Sequence, residues 1–337
     1  MARIALLTGG ASPERDVAYA TAAQELPALR DLGHELTVVD TVEGVLDGER
    51  ERILLAPGVA RQPPSFAELA ALAARENLPA LVAGGALSGY DLVFLALHGG
   101  VYEGGPLQAL LDLAGLRYTG SGALGSGLAM DKEVSKRLLR ADGLPTAKWR
   151  VWRGDRGELA ALGWPLVVKP ANAGSSVGVT VAHGLEELDA ALDAALVVDR
   201  VVLVEELLPG REFTVGVLGE RALGVGEILP SHEIFDYECK YTPGMTREVF
   251  PAEIPAALTA RLRELAAATH LSHRLRDFSR VDFKLGADGE PYVLEVNTLP
   301  GMTRTSLLPQ SAAVAGVGFG ELCREICELA LRREPGA

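Results

Sequence analysis

The sequence predicts an α/β protein that has an open parallel sheet at its N-terminus and becomes α+β in its C-terminal half. Apolar segments 3–8 and 35–40 flank a helix-forming stretch at 16–31, and this β-α-β order indicates parallel strands. Segments 213–218 and 222–228 alternate in hydrophobicity across a short gap, as antiparallel neighbours do. The chain therefore combines two kinds of sheet.

Glycine and serine at 120–127 suggest a hinge between domains. We place an N-terminal domain at 1–121, a central domain at 122–204 and a C-terminal domain at 205–337. The other elements expected are strands at 91–97, 166–170 and 201–208, and helices at 66–75, 131–141, 186–196, 256–270 and 320–332. Segments 44–65 and 231–250 lack periodicity; the second is long and aromatic, which is typical of a functional loop.

Composition limits the classes of partner. The 337 residues are 48% hydrophobic, enough for two or three domain cores, and carry a net charge of −13. That charge argues against nucleic acid and anionic membranes as partners, and no apolar run approaches the length of a membrane span. The three cysteines, Cys239, Cys323 and Cys327, lack obvious metal-ligand partners and suit a reducing cytoplasm. The N-terminus does not resemble a signal peptide.

Segment 280–297 is predicted to form a hairpin around Asp288-Gly289, a dipeptide that favours a two-residue turn. That turn would set Asp282 opposite Glu295 and Arg280 opposite Asn297, with all four side chains on one face. The opposite face would be core, formed by Val281, Phe283, Leu285, Tyr292, Leu294 and Val296.

Two carboxylates directly opposite each other destabilise a hairpin, and a bound cation would remove that cost. Carboxylates with an amide oxygen, away from Cys and His, suit a hard ion such as Mg²⁺. Arg280 beside them suits a phosphate or a developing oxyanion. The alternative is a solvated acidic face with an incidental arginine.

Several polar residues follow predicted strands or begin helices. Glu14 and His98 lie at carboxyl ends of sheet strands, where open α/β sheets bind ligands, although a histidine there is often an ordinary loop residue. Lys132 follows the helix-capping Asp131 and opposes the helix dipole, which suggests an anionic partner. Lys169 interrupts an apolar strand and also calls for an anion. The Gly- and Ser-rich loop after Lys169 could bind phosphate, although such a loop taken alone is weak evidence for a phosphate site.

Taken together, these motifs resemble the D-alanine–D-alanine ligases of the ATP-grasp superfamily over nearly the whole chain. The motifs are Gly-Gly-Ala-Ser-Pro-Glu-Arg-Asp (9–16), Leu-His-Gly (97–99), Tyr-Thr-Gly-Ser-Gly (118–122), Met-Asp-Lys (130–132), Val-Lys-Pro (168–170), Gly-Ser-Ser-Val-Gly (174–178), Glu-Phe-Thr-Val (212–215), Asp-Tyr-Glu-Cys-Lys-Tyr (236–241), Arg-Val-Asp-Phe (280–283) and Glu-Val-Asn-Thr-Leu-Pro-Gly-Met-Thr (295–303). Ten motifs in the family's order are highly specific.

The resemblance implies an ATP-grasp architecture that grips ATP between the central and C-terminal domains. The implied ATP-binding residues are Lys132, Lys169, Ser175, Ser176, Val177, Gly178, Glu205, Glu206, Leu207, Leu208 and Glu212. The implied ligands of two Mg²⁺ ions, with Mn²⁺ a possible substitute, are Asp282, Glu295 and Asn297. The implied catalytic residues are Glu14, Ser175, Lys240, Tyr241, Arg280 and Gly301, and substrate would be held by Glu14, His98, Arg280, Gly301, Ser306 and Leu307.

The implied reaction joins two D-alanine molecules through an acyl phosphate for peptidoglycan synthesis, in a cytoplasmic homodimer. A D-alanine–D-lactate ligase or another ATP-grasp carboxylate–amine ligase is the alternative, and Tyr241 favours an amine acceptor. A catalytically dead nucleotide sensor would be expected to lose metal or lysine positions that this chain keeps. The chain departs from the family's pattern at 102–105, at Glu206, where the hinge often has lysine, and at Phe235, where tyrosine is common.

Overall fold

The computed structural model describes residues 1–56, 58–59, 64–174, 176–242 and 244–334. Ser175, predicted to be a catalytic and ATP-binding residue, lies outside the described residues. The side chains of Tyr241 and of three others, Phe66, Ala160 and Tyr237, also lie outside them. The predictions for Ser175 and the Tyr241 hydroxyl therefore stay predictions.

An open sheet with parallel central strands forms the N-terminal part, as predicted. Its elements are β1 (Arg3–Thr8), α1 (Arg15–Asp31), β2 (Glu35–Asp40), β3 (Gly44–Val45), α2 (Gly48–Leu55), α3 (Phe66–Arg75), α4 (Leu78–Ala83), β4 (Leu92–Leu95), α5 (Gly100–Glu103) and α6 (Pro106–Leu113). The strand order is β3-β2-β1-β4, with β1 parallel to β2 and β4 and the short β3 antiparallel at the edge. Segment 44–65 was expected to be irregular, and this was wrong for β3 and α2, where Asp47 accepts hydrogen bonds from the first turn of α2.

The middle of the chain forms a second, wholly antiparallel sheet of order β5-β8-β6-β7. Its elements are α7 (Ala123–Met130), α8 (Lys132–Ala141), β5 (Trp149–Val151), a 3₁₀ helix (Arg156–Leu162), β6 (Leu166–Pro170), β7 (Thr180–Ala182), α9 (Leu185–Val198) and β8 (Val202–Glu206). Strand β8 ends at Glu206, two residues past the expected domain boundary. Asp131 caps α8 by accepting from the backbone N–H groups of Glu133 and Val134, as the sequence predicts.

A five-stranded antiparallel sheet of order β11-β10-β9-β12-β13 forms the third part. Its elements are β9 (Glu212–Leu218), β10 (Arg221–Pro230), α10 (Tyr237–Tyr241), β11 (Thr246–Val249), α11 (Ala256–Ser272), β12 (Phe278–Leu285), β13 (Pro291–Asn297), α12 (Leu307–Val314) and α13 (Phe319–Leu331). Segment 231–250 is thus not wholly irregular, since it holds α10 and β11. The longest described helices, α1 and α11, have 17 residues each, and no described helix is both long and apolar enough to cross a membrane.

The hairpin of β12 and β13 has the predicted register at one end only. Arg280 pairs with Asn297 and Asp282 with Glu295 as predicted, but Phe283 pairs with Val293 because Leu294 is an extra residue on β13. The expected two-residue turn is wrong: Gly286 N–H donates to the Glu290 carbonyl, so a three-residue loop joins the strands and Gly289 has φ of 79°. The β-bulge reconciles the two registers.

The bulge also corrects the predicted faces of β13. Val293 is fully buried in the core, whereas Tyr292 and Leu294 are only partly buried. Side-chain alternation is interrupted at a bulge, so the strand exchanges faces there. As a result Leu294 joins Glu295 on the side of the sheet that faces a cavity between the central and C-terminal sheets, described below.

A buried carboxyl lies where α1 packs against α13. Glu25 is 1% exposed, and neither of its carboxyl oxygens has a hydrogen-bond partner among the described residues. Burial raises the pKa of Glu25 well above its ordinary value. Cys323 and Cys327, on α13, are also buried. This helix contact therefore contains a polar group that destabilises it.

We expect Glu25→Met to stabilise the protein. It removes an unsatisfied buried carboxyl, which costs about 1–3 kcal/mol. Because the folded-state pKa is raised, the wild type loses stability as pH rises from about 4.3, the unfolded value. The gain should therefore be larger at pH 8 than at pH 5. Urea unfolding at both pH values measures it, with the exposed Glu35→Met as control; an equal gain at both pH values would contradict the assignment.

Candidate active site

A cavity lies between the central and C-terminal sheets. Strands β6 and β8 form one wall, and β12 and β13 form the other. Its lining combines cationic, acidic and apolar side chains: Lys132, Val167, Lys169, Ala173, Ser176, Val179, Glu205, Glu206, Leu207, Leu208, Glu212, Ile234, Phe235, Lys240, Asp282, Lys284, Leu294 and Glu295. We call this the nucleotide cavity.

The lysine on β6 has the anionic partner that the sequence calls for. Lys169 Nζ lies 2.9 Å from Glu205 Oε1 on the neighbouring strand β8. On the other side of the same carboxylate, Lys136 Nζ lies 3.3 Å from Glu205 Oε2 and donates to Thr146 Oγ1. Burial lowers the pKa of Lys136 to about 8. Sequence reasoning missed Lys136, although it lies one helical turn after Lys132 on the same helix.

Lys132 was predicted to have an anionic partner, and in the structure that partner is Glu295. Their side chains approach to 3.5 Å, and Lys132 Nζ also donates to the Ala173 carbonyl at 2.6 Å. Although burial acts to raise the pKa of Glu295, the nearby positive charges of Lys132, Lys240 and Lys169 together lower it to about 2. Glu295 is therefore held ionised, as a metal ligand or a counterion must be.

The carboxylate opposite Glu295 is neutralised from within its own strand. Arg280 donates to both oxygens of Asp282, at 2.9 and 2.7 Å, in a two-pronged ion pair. Thr214 Oγ1 and Asn297 Nδ2 donate to the same carboxylate at 2.7 and 3.1 Å. The repulsion expected between the paired carboxylates is thus relieved by cations of the protein itself, and a metal ion would compete with Arg280 for Asp282.

The residues expected around the base and ribose line the cavity beyond Lys169. Glu206 turns its carboxylate outward to the backbone N–H and side chain of Lys148, so its departure from the family's usual lysine does not intrude on the cavity. Leu207 and Leu208 follow it along the wall. Glu212 is 9% exposed, its pKa is raised to about 7 by burial, and Lys284 Nζ lies 3.9 Å away.

The loop after β6 covers one side of the nucleotide cavity. Ser176 lines it and donates from Oγ to the Phe235 carbonyl at 2.8 Å, which connects this loop to segment 231–242. Gly178 has φ of 74°, and a Cβ there would lie 2.9 Å from Pro170, so glycine is required. Val177 and Gly178 shape the loop but do not line the cavity.

A second cavity adjoins the first and collects the predicted substrate residues, so we call it the amino-acid cavity. It lies among the ends of β1 and β4, the start of α12 and segment 231–242. Its lining residues are Glu14, Val17, Val59, His98, Glu103, Gly174, Phe235, Lys240, Glu248, Arg280, Asn297, Leu299, Pro300, Gly301, Thr303, Thr305, Ser306 and Leu307. All six residues predicted to bind substrate are in this set.

Glu14 and His98 both line the amino-acid cavity, and each has its own set of neighbours there. Glu14 Oε2 lies so close to the loop after β4 that a Cβ built on Gly99 would be 2.8 Å from it. His98 is buried, its Nδ1 lies 2.9 Å from the Leu299 carbonyl and its Nε2 lies 3.2 Å from Thr21 Oγ1. Burial lowers the pKa of His98. His98 therefore supports the wall as a neutral side chain with both ring nitrogens partnered.

The start of α12 brings backbone donors to the amino-acid cavity. Ser306 is the N-cap residue and its Oγ accepts from the Thr303 backbone N–H at 3.1 Å. Leu307 begins the helix, where N–H groups have no intrahelical acceptor and favour a carboxylate. These donors suit the carboxylate of an amino acid.

Sequence reasoning missed three titratable residues that line the cavities, Glu103, Glu248 and Lys284. Glu103 accepts from the Gly99 N–H at 2.7 Å, and burial followed by the charge of Glu14 raises its pKa to about 8. Its signal was present in the 102–105 motif, which was noted only as a departure. Lys284 lies two residues beyond Asp282 on β12, so strand alternation alone predicts that it faces the nucleotide cavity.

Among the described residues, Lys240 and Phe235 are the two that line both cavities. Lys240 is in α10, whose first turn is capped by Asp236 through the Cys239 N–H. Its ammonium lies 5.1 Å from the centre of the Phe235 ring. A cation at the junction of the two cavities is placed to act on a group that passes between them.

Comparisons with known proteins agree with this geometry. Two antiparallel sheets that enclose a lysine-lined cavity, joined to an open α/β domain, define an ATP-grasp ligase. Residues 3–121 match the family model of the D-Ala–D-Ala ligase N-terminus, and residues 138–328 match that of the C-terminus. The chain therefore belongs to the D-alanine–D-alanine ligase family.

Individual relatives cover nearly the whole chain. A D-alanine–D-alanine ligase of Desulfotalea psychrophila is 40% identical over 99% of this chain and 96% of its own. The crystal structure of the Bacillus anthracis D-alanine–D-alanine ligase complexed with ATP has a TM-score of 0.76, with 31% identity and 98% of each chain covered. The VanG D-Ala:D-Ser ligase of Enterococcus faecalis has a TM-score of 0.80, with 29% identity and 98% and 99% coverage.

We expect Glu295→Gln to lower the stability of the ligand-free protein. The hairpin considered alone predicts the opposite, because the change relieves repulsion with Asp282. In the structure, however, Glu295 balances Lys132 and its neighbours, so its loss should cost about 1–2 kcal/mol, less than for a fully buried pair.

The pH dependence of this loss tests its cause. The depressed pKa of Glu295 contributes stability above pH 4.3, the approximate unfolded value, and that stability disappears as pH falls toward about 2. Urea unfolding without Mg²⁺ should therefore separate wild type and variant at pH 7 but much less at pH 3. A variant as stable as wild type at pH 7 would contradict the charge balance.

Proposed function

We propose that this protein joins two D-alanine molecules into D-alanyl-D-alanine, with conversion of ATP to ADP and phosphate, for peptidoglycan precursor synthesis. The observation that carries the proposal is the position of Lys240 on the boundary between the nucleotide and amino-acid cavities. A ligase that activates a carboxylate with ATP must transfer a phosphoryl group across such a boundary.

In the first step, a carboxylate oxygen of the first D-alanine attacks the γ-phosphorus of ATP, and ADP leaves. Negative charge spreads over the phosphoryl oxygens, and catalysis consists mainly of positioning and charge stabilisation. Lys132 and Lys169 hold the phosphates, and Lys240 follows the transferred group. Ser175 to Gly178 close over it, Glu205 to Leu208 enclose the base, and Glu212 accepts from a ribose hydroxyl.

The oxygen ligands of Asp282, Glu295 and Asn297 fit Mg²⁺, and Mn²⁺ as a substitute, better than softer ions. Such ions, two by the family's pattern, would supply positive charge that neutralises the phosphates. Glu295 offers an ionised carboxylate for this purpose. Asp282 would become available to the metal when Arg280 leaves it to contact the substrate.

In the second step, the neutral amine of the second D-alanine attacks the acyl carbon of the acyl phosphate, and phosphate leaves with the carbonyl restored. Arg280 and the Gly301 N–H would stabilise the tetrahedral oxyanion. Glu14 would hold the ammonium of the first D-alanine, with His98 behind it. Ser306 and the Leu307 N–H would hold the carboxylate of the second, while Tyr241 and Ser175 would help exclude water from the intermediate.

The test is ADP release measured with D-alanine, D-serine, D-lactate, L-alanine or no acceptor. We expect turnover with D-alanine and little with the others, and chromatography should identify the dipeptide. Faster turnover when D-serine or D-lactate is added to D-alanine would assign the protein to a related ligase with another acceptor. ATP binding without ADP release under any condition would contradict a ligase.

Lys240→Gln should reduce kcat by orders of magnitude, because it removes the cation between the cavities. Lys284→Gln is the matched control: it removes a lysine that lines only the nucleotide cavity. That variant should raise the KM for ATP while leaving the KM for D-alanine nearly unchanged. If both variants changed only the KM for ATP, Lys240 would be a nucleotide-binding residue and not a participant in transfer.

The organisation of the whole protein follows the same proposal. We infer domains at 1–121, 122–204 and 205–337, with the cavities between them, and a homodimer in the cytoplasm. The buried, unpaired state of Cys239, Cys323 and Cys327 supports a reducing compartment. Sedimentation measurements would test the dimer.

A further inference from the structure

Segment 231–242 contains a group of metal-ligating side chains that lines neither cavity. His232, Asp236 and Cys239 each offer one ligand atom, and these atoms all lie within 4.8 Å of one another. Cys239 was expected to lack metal-ligand partners, and the structure places His232 and Asp236 close to it. The spacing His-x₃-Asp-x₂-Cys brings them together because α10 begins directly after Asp236.

The side chains in this group already interact. His232 Nδ1 lies 2.7 Å from Asp236 Oδ2. The Cys239 sulfur lies within 4.8 Å of the ligand atoms of both residues. Asp236 Oδ1 accepts from the Cys239 backbone N–H and caps α10. The helix cap and the side-chain group therefore use different oxygens, so Oδ2 can bind a cation while the cap stays in place.

The three ligand types select a particular class of ion. An imidazole nitrogen, a thiolate sulfur and a carboxylate oxygen suit Zn²⁺, which is bound by three protein ligands and a water in open tetrahedral sites. Mg²⁺ prefers oxygen ligands and binds sulfur poorly. With bonds of about 2.0–2.2 Å to nitrogen and oxygen, tetrahedral geometry needs those two atoms about 3.3 Å apart, so His232 would move only slightly.

The burial of the three residues favours such a site. His232 is exposed and Asp236 is partly buried, which provides access from solvent, whereas Cys239 is 2% exposed and shielded from bulk oxidants. A metal ion would displace the proton between His232 and Asp236 and the thiol proton of Cys239. Both displaced protons pass to water, so the two positive charges that the ion brings are offset by the two that leave.

We propose that His232, Asp236 and Cys239 form a Zn²⁺-class site, separate from the Mg²⁺-type oxygen ligands of the active site. The bound ion connects the turn at 232–235 to the first turn of α10, the helix that carries Lys240. It thereby fixes the segment that closes over both cavities. The assignment depends on the geometry of this group alone and holds whichever acceptor the ligase uses.

Co²⁺ is the probe, because a Co²⁺–thiolate bond gives a near-ultraviolet charge-transfer band that oxygen ligands do not give. The full-length protein, reduced and saturated with Mg²⁺, is titrated with Co²⁺ and then with Zn²⁺. We expect the band to saturate at one equivalent with micromolar affinity and to disappear as Zn²⁺ replaces Co²⁺. Absence of the band, or a band only at millimolar Co²⁺, would overturn the proposal.

Variants assign the ligands. Cys239→Ala should abolish the band, and His232→Gln should weaken Co²⁺ binding by at least tenfold. The control is His183→Gln, which removes another exposed histidine that pairs with Glu233 in the same segment, and it should bind as wild type does. A band that persists in Cys239→Ala would come from Cys323 or Cys327 and would overturn the assignment. Circular dichroism confirms that each variant is folded.

Discussion

The charge balance of the nucleotide cavity is the constraint on which the site depends. A site for the phosphates of ATP must concentrate positive charge, and that charge repels itself when the nucleotide is absent. Three of the cations each have a carboxylate partner. The pairs are Lys132 with Glu295, Lys169 with Glu205, and Arg280 with Asp282. The cations are thereby held in position before ATP arrives, so little reorganisation is needed at binding.

The same pairing determines how the two carboxylates on β12 and β13 behave. In the isolated hairpin, Asp282 and Glu295 would repel each other. In the folded protein, Asp282 pairs with Arg280 and Glu295 pairs with Lys132. Lys132 lies at the start of α8 in the central part of the chain, and Glu295 lies on β13, so this ion pair spans the cavity. Nucleotide binding must exchange these contacts for contacts to phosphate, which couples the closure of the cavity to the presence of ATP.

Local sequence signals predicted the elements well and the long-range partners poorly. The bounds 66–75 and 166–170 match α3 and β6, because a capping serine and a short apolar run mark their ends clearly. The bulge at Leu294 was not predictable, since it depends on how β13 fits its neighbour and the chosen turn. The partners of Lys169 and Lys132 lie on elements far along the chain. Sequence could indicate that those lysines needed anions, but not which carboxylates would supply them.

The departure at Phe235 shows how a change in sequence can preserve a contact. A tyrosine hydroxyl is absent there, yet the two interactions that the residue makes do not use one. Its backbone carbonyl accepts from Ser176 Oγ, and its ring lies against the Lys240 ammonium. No substitution removes a backbone carbonyl, and a phenylalanine ring attracts a cation about as well as a tyrosine ring does. The connection between the loop over the phosphates and the helix that carries Lys240 therefore survives the loss of the hydroxyl.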